Sequence, residues 1–139
     1  MRDKRVPKHN VSFLAYYSKY RVQLGEHEAI KYNRVIENIG NGYNSFTGKF
    51  TAPVSGIYSF SVSMMSDSSN YMQLGIMKNR QLLTTLFTNA KTFPQSSNTI
   101  NVSLQRGDTM WIQRRSGRML HAHNLDRYNT FSGVLVSLM

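Results

Sequence analysis

The chain has 139 residues, and its 17 lysines and arginines against seven acids give a formal net charge of +10. A chain of this length can form one domain with a core of its own. The absence of cysteine excludes a disulfide framework and thiol catalysis. No window approaches the roughly 18 consecutive apolar residues of a membrane span, and the excess of positive charge favours polyanionic partners.

Short stretches with apolar residues on alternate positions follow one another along the chain, a pattern typical of β-strands. A flexible basic arm, residues 1–10, comes first and lacks the apolar run of an intact signal peptide. The protein is then either cytosolic or a mature form or fragment, of which we favour the second, and its globular domain is expected over residues 11–139. The expected strands are residues 11–17, 30–36, 57–65, 71–77, 81–87, 98–104, 109–115 and 130–138. No helical period persists over three turns, so the sequence predicts an all-β sandwich.

Clusters of Gly, Asn and charged residues separate the strands. Gly and Asn tolerate positive φ, so such clusters predict turns. The expected turns are residues 38–44, 78–80 and 106–108. In the strand at residues 57–65, Tyr58 and Phe60 share one face, whereas Ser59 and Ser61 share the other. The segment at residues 98–104 alternates in the same way.

The last expected strand is apolar on both faces. Phe131 and Leu135 lie on one face, and Val134 and Val136 lie on the other. A strand with one solvent-exposed face alternates apolar with polar residues. Because this strand does not, both of its faces are expected to be covered. We expect neighbouring subunits to cover it. The alternative is a central strand beneath a long loop.

Five blocks of sequence carry a resemblance over residues 11–138. They are residues 11–15 (VSFLA), 38–44 (NIGNGYN), 47–60 (TGKFTAPVSGIYSF), 107–112 (GDTMWI) and 128–133 (YNTFSG). In this order they resemble the C1q domain, the globular head of the complement recognition subcomponent, within the C1q and tumour necrosis factor superfamily. The resemblance implies a ten-stranded jelly-roll sandwich, assembled as a homotrimer. It also implies a secreted, extracellular protein of the head-only type, without a collagen stem.

Large apolar side chains in and beside these blocks are expected to form the core and the trimer contacts. They are Tyr17, Tyr58, Phe60, Trp111, Phe131, Leu135 and Val136. Some C1q domains hold calcium near the trimer apex. The matching positions here fall near Tyr71 and Arg80, which are not acids, so calcium binding is not expected and no cofactor is predicted.

No arrangement of residues indicates catalysis. The chain lacks a Gly-x-Ser-x-Gly elbow, an evident carboxylate pair and a Gly-rich phosphate loop, so we expect no enzyme. His121 and His123 would share one face of a strand, with Asp126 nearby, and two imidazoles can chelate a metal. A third ligand is not assured, so we expect two exposed loop histidines and no metal site.

Positive side chains concentrate in the last third of the chain. Arginine forks suit phosphate and sulfate, and a trimer would present each site three times. The expected anion-binding residues are Arg106, Arg114, Arg115, Arg118, His121, His123 and Arg127, with Lys78 and Arg80 as further cations on the expected turn at residues 78–80.

The leading hypothesis from the sequence is therefore an innate-immune pattern-recognition protein of lectin-like type. It would bind anionic microbial surface glycans or lipopolysaccharide. Nucleic acid is a weaker choice, because no stacking motif accompanies the arginines. The alternatives are an extracellular matrix component and a signalling ligand for a cell receptor.

Overall fold

The computed structural model describes residues 9–19, 22–23, 25–66, 71–89, 95–117, 119–120 and 127–139. Within these ranges every regular element is a β-strand. The strands are β1 (Ser12–Tyr16), β2 (Val22–Gln23), β3 (Arg34–Ile39), β4 (Tyr43–Asn44), β5 (Lys49–Thr51), β6 (Gly56–Met65), β7 (Met72–Lys78), β8 (Gln81–Thr88), β9 (Gln95–Leu104), β10 (Thr109–Gly117), β11 (Met119–Leu120) and β12 (Thr130–Leu138).

The strands form two five-stranded antiparallel sheets. The first sheet has the order β3-β1-β12-β6-β9, and the second has the order β4-β5-β10-β7-β8. The short strands β2 and β11 pair with each other outside the two sheets. The prediction of an all-β sandwich is confirmed, with ten strands in the two sheets.

Alternation along β6 and β9 places the apolar residues where the sequence predicted them. Tyr58, Phe60 and Val62 are buried, while the serines between them are half-buried on the opposite face. In β9, Leu104 is buried and the apolar residues before it pack against the core. Because side chains of a strand alternate between faces, one face of the first sheet closes the core and the other faces outward.

An aromatic cluster joins the two sheets. The ring of Phe13, from the first sheet, stacks at 5.1 Å on both Tyr43 and Phe50 of the second sheet. The ring of Phe131 meets Phe13 edge-on at 4.9 Å. Gly133 lies beside them, where a Cβ atom would come within 2.7 Å of the Phe13 ring. The rings therefore occupy the space that a side chain at Gly133 would need.

The prediction of a strand over residues 30–36 is wrong for the first half of that range, because β3 begins only at Arg34. The residues before it run along β10 instead. Ile30 N donates to Ile112 O (2.8 Å), and Arg114 N donates to Glu28 O (2.9 Å). Ile30 and Tyr32 are both buried, so this segment has the alternation of a strand while it crosses from the second sheet to the first.

The last strand, β12, has the bounds that the sequence predicted. Leu135 packs against the core, whereas Val134, Val136 and Leu138 are 44%, 62% and 53% exposed in the single chain. Within the described part of the chain no loop buries these three side chains, so the alternative of an overlying loop is not supported there. Tyr17, Tyr58, Phe60 and Phe131 are buried, as expected of core residues.

Replacing Phe60 with alanine removes a fully buried ring from the aromatic cluster. We expect the free energy of unfolding to fall by about 3–5 kcal/mol, the range for Phe→Ala in a core. Urea unfolding at fixed protein concentration measures it. Phe46→Ala is the matched control, because Phe46 is 87% exposed and its removal leaves no cavity. Equal losses in the two variants would contradict the described core.

Candidate anion-binding site

Two turns lie side by side at one end of the sandwich. The first joins β7 to β8 and contains Asn79 and Arg80, and the second joins β9 to β10 and contains Arg106 and Gly107. The second turn is fixed to the chain before β6, because Arg106 N donates to Ser55 Oγ (2.9 Å) and Gly107 N donates to Ala52 O (2.9 Å).

Asn79 connects the two turns. Its backbone N donates to Thr109 O (2.8 Å), and its Oδ1 accepts from Thr109 N (2.8 Å). Its Nδ2 donates to Asp108 Oδ1 (3.2 Å). Asn79 has a φ of 52°, a left-handed conformation that asparagine adopts more readily than most residues. The predicted hairpin turn is present, and Asn79 holds it against the neighbouring turn.

Asp108, the acidic residue at this end, accepts a hydrogen bond from within its own turn. Gln105 N donates to Asp108 Oδ2 (2.8 Å). This backbone hydrogen bond, the bond from Asn79 and the charge of Lys78 hold the pKa of the Asp108 carboxyl below its ordinary value. Asp108 thus stays ionised and serves to close the turn.

Trp111 was expected in the core, and this expectation is wrong. Met110 and Ile112 point inward from β10, so Trp111 between them faces outward and is only half-buried. Its Nε1 donates to Asn79 O (2.8 Å), and the Nζ of Lys49 lies 5.0 Å from the centroid of its ring. Trp111 therefore supports the β7–β8 turn and positions a lysine.

We define the turn-end surface as the four cations at this end, Lys49, Lys78, Arg80 and Arg106. The structure brings together Lys78 and Arg80, from one loop, with Arg106, from the sequence cluster. Lys78 Nζ donates to Ser103 O (3.1 Å). None of the four forms an ion pair with a described carboxylate. The surface thus carries four cations outside ion pairs, and the nearby charge of Asp108 offsets only part of their positive charge.

The other described arginines of the predicted cluster lie elsewhere. Arg114 Nε donates to Gly117 O and Arg115 Nη1 to Gln113 Oε1 (2.9 Å), farther along β10. Arg127 stacks over the ring of Tyr16, 4.5 Å from its centroid, at the opposite end of the sandwich. Counted along β6 at ~3.3 Å per residue, the two ends are about 25 Å apart. The predicted cluster is therefore spread over the length of the sandwich.

Three of the predicted anion-binding residues, Arg118, His121 and His123, lie outside the described residues. In the described part, no group of three or more His, Cys, Asp or Glu side chains could hold a metal ion. The same ranges contain no helix that is long and apolar enough to cross a membrane.

Sequence reasoning missed Lys49. It lies in the block at residues 47–60, which was interpreted as scaffold. The register that pairs Lys49 with Trp111 brings it to the outer face near Asn79. Alternation alone could have predicted the outward orientation of Lys49, since Phe50 points inward and Lys49 must then point outward.

The fold is a two-sheet jelly-roll sandwich. The chain matches the C1q domain over residues 12–136. It is 32% identical over 115 residues to the complement C1q tumor necrosis factor-related protein 3 of Mus musculus, and 31% identical over 114 residues to the Homo sapiens protein of the same name. Each alignment covers 80% of this chain and 46% of the relative, so the chain spans about half of their length. The chain belongs to the C1q domain family.

Solved structures show the same fold. The globular domain of zebrafish complement 1qA protein superposes with a TM-score of 0.77 at 18% identity, covering 93% of this chain and 99% of that one. Eiger TNF from S. frugiperda superposes with a TM-score of 0.75 at 10% identity, covering 95% and 96%. At these identities the likeness concerns the fold, and it confirms the predicted C1q and TNF jelly roll.

Replacing Asn79 with alanine removes the side-chain hydrogen bonds to Thr109 and Asp108 and leaves alanine with a φ of 52°. We expect the free energy of unfolding to fall by about 1–3 kcal/mol. The pKa of Asp108, followed by NMR titration, should rise, because one of the bonds that favour its ionised form is lost. Asn101→Ala, at an exposed position in β9, is the control. An unchanged Asp108 titration would contradict the proposed role of Asn79.

Proposed function

We propose that this protein is a secreted, trimeric recognition head without catalytic activity, and that its turn-end surface binds anionic glycans, including the acidic saccharides and phosphates of microbial surfaces. The observation that carries the proposal is a set of four cations, none in an ion pair with a described carboxylate. Arg80 and Arg106 lie on two turns that hydrogen bonds hold together, Lys78 ends β7 and Lys49 begins β5. The net charge of +10 adds a field that attracts such ligands from a distance.

Rigidity supports the proposal as much as charge does. Arg80 and Arg106 belong to separate turns, but Asn79 and Asp108 fix the positions of those turns relative to each other. A surface whose backbone is already ordered loses less conformational entropy when a ligand binds. Arginine and lysine together suit sulfate, phosphate and carboxylate groups along a saccharide chain.

The trimer is supported by the outward apolar side chains of the first sheet. Val134, Val136 and Leu138 of β12 and Ile39 of β3 remain about half exposed in the single chain. Exposed apolar side chains grouped on one sheet are typical of a subunit contact. Three copies of a weak cationic surface would then bind one extended polyanion with greater avidity than one copy.

Replacing Val136 with glutamate tests the trimer, because burying an unpaired carboxylate at a subunit contact is unfavourable. We expect the wild-type protein to sediment as a trimer at micromolar concentration and the variant as a monomer. Phe87→Glu, at an exposed position on the outer strand of the second sheet, is the control and should remain a trimer. A monomeric wild type, or a trimeric Val136→Glu, would refute the assembly.

Removing charge from the turn-end surface tests the ligand. In the triple variant Lys78→Gln, Arg80→Gln, Arg106→Gln, we expect affinity for immobilised heparin and for lipopolysaccharide to fall about tenfold, at roughly 0.5 kcal/mol for each exposed cation. Wild-type binding should weaken as salt is added. Arg127→Gln, at the other end, is the matched control. Equal affinity of wild type and triple variant, at low salt as well as physiological salt, would overturn the proposal.

A second candidate is a signalling ligand for a protein receptor. The names of the mouse and human relatives, C1q tumor necrosis factor-related proteins, favour it. A receptor would recognise shape and apolar contacts as well as charge, so its binding should depend less on salt. Stable, salt-resistant capture of one receptor ectodomain, with no affinity for anionic glycans, would favour this candidate over the first.

A further inference from the structure

A cleft lies at the edge of the sandwich, away from the two turns. Residues 17–19 after β1, residues 28–33 before β3 and the turn between β4 and β5 enclose a volume of about 410 Å³. Ser18 and Asn33 hold the first two segments together, because Ser18 N donates to Asn33 Oδ1 (3.1 Å) and Asn33 Nδ2 donates to Ser18 Oγ (2.8 Å). The cleft thus has walls that the fold already fixes.

Phe46 forms one rim of this cleft and is 87% exposed. Its turn is ordered, since Phe46 N donates to Asn44 Oδ1 (2.8 Å) and Gly48 N donates to Asn44 O (2.8 Å). Gly48, with a φ of 75°, packs so closely on Ile30 O that no side chain fits there. A single exposed apolar residue needs no explanation, but a rigid turn that presents an aromatic ring at the mouth of a cleft is suited to stacking on a ligand.

The walls of the cleft carry polar groups with unused bonding capacity. Lys19 and Lys31 form no ion pair with a described residue, and the hydroxyl of Tyr17 has no described hydrogen-bond partner. Burial, and then the charge of Glu28, raises the pKa of Tyr17 to about 12. The hydroxyl therefore remains a donor at neutral pH. The cleft combines two cations, one acid, a neutral donor and an aromatic ring.

We propose that this cleft binds one negatively charged sugar residue, a uronic acid or a sulfated hexose. The ring of Phe46 stacks on the apolar face of the pyranose. Lys19 and Lys31 pair with its carboxylate or sulfate, and the Tyr17 hydroxyl donates to a ring substituent. Glu28 accepts from a sugar hydroxyl and disfavours ligands with several adjacent anionic groups.

This inference rests on the proposed binding of anionic glycans and adds a specific sugar subsite to it. Lys49 of the turn-end surface lies three residues beyond Phe46 along the chain. Because an extended chain spans at most ~3.3 Å per residue and this segment turns, the two Cα atoms are no more than about 10 Å apart, within the reach of two sugar units. A saccharide that crosses Lys49 can therefore place one residue in the cleft while the rest contacts the turns.

The test uses the whole 139-residue protein and two probes. NMR titration with methyl glucuronide measures the cleft, and binding to immobilised heparin measures the turn-end surface. Wild type should bind methyl glucuronide, with chemical-shift changes at Phe46 and Lys31. It should bind methyl glucoside, which lacks the negative charge, at least several-fold more weakly. Phe46→Ala should lower methyl glucuronide affinity about threefold to tenfold. Phe46→Tyr should restore it, and Phe87→Ala should leave it unchanged.

The outcomes separate the two proposals. The triple variant of the turn-end surface could lose heparin binding while wild type and Phe46→Ala bind methyl glucuronide equally well. That result would overturn the proposed sugar site in the cleft and leave the proposed function standing. Alternatively, Phe46→Ala and Lys31→Gln could lower methyl glucuronide affinity while the triple variant leaves heparin binding unchanged. That result would support the sugar site in the cleft and overturn anion binding by the turn-end surface. Equal wild-type affinity for the glucuronide and the glucoside would overturn the assignment of an acidic sugar.

Discussion

The contact of Phe13 with rings from both sheets is the constraint on which the rest of the fold depends. Phe13 and Phe131 come from the first sheet, and Tyr43 and Phe50 come from the second. Gly133 admits this packing because it has no side chain to displace the rings. Once these rings meet, the sheets are fixed face to face, and the turns at each end of the sandwich have definite positions.

The candidate site is a consequence of those positions. The β9–β10 turn carries the chain from the first sheet to the second, and it ends beside the β7–β8 hairpin because β7 and β10 pair along their length. Asn79 then joins the two turns, and Trp111 supports them from the outer face of the second sheet. Cations that are distant in sequence thereby share one surface. None of the residues that fix the aromatic core takes part in this surface, so ligand specificity can change without loss of the fold.

Much of the fold could be predicted from the sequence, because strand alternation and turn residues are local signals. The strand at residues 130–138 has its predicted bounds, and Asn79 and Gly107 adopt the positive φ expected of turns. The failures depend on tertiary contacts. Ile30 and Tyr32 alternate like strand residues but cross between sheets, and Trp111 faces outward because its neighbours on β10 point to the core. The arginines that are close in sequence separate because β10 carries the chain away from Arg106 along the sandwich, and Arg127 precedes β12 at the opposite end. Alternation predicts that Lys49 faces outward, but its position beside Trp111 depends on the register of β5 with β10.

The central claim is that the turn-end surface is where this C1q domain meets an anionic glycan. The most direct measurement is an NMR titration of the isotope-labelled protein with a sulfated heparin-derived hexasaccharide at physiological salt, with perturbations assigned to individual residues. The account predicts that the largest perturbations fall on Lys49, Lys78, Arg80, Arg106 and the Trp111 indole. Perturbations centred on Arg127 and Tyr16 at the opposite end, or no perturbation at saturating ligand, would contradict it.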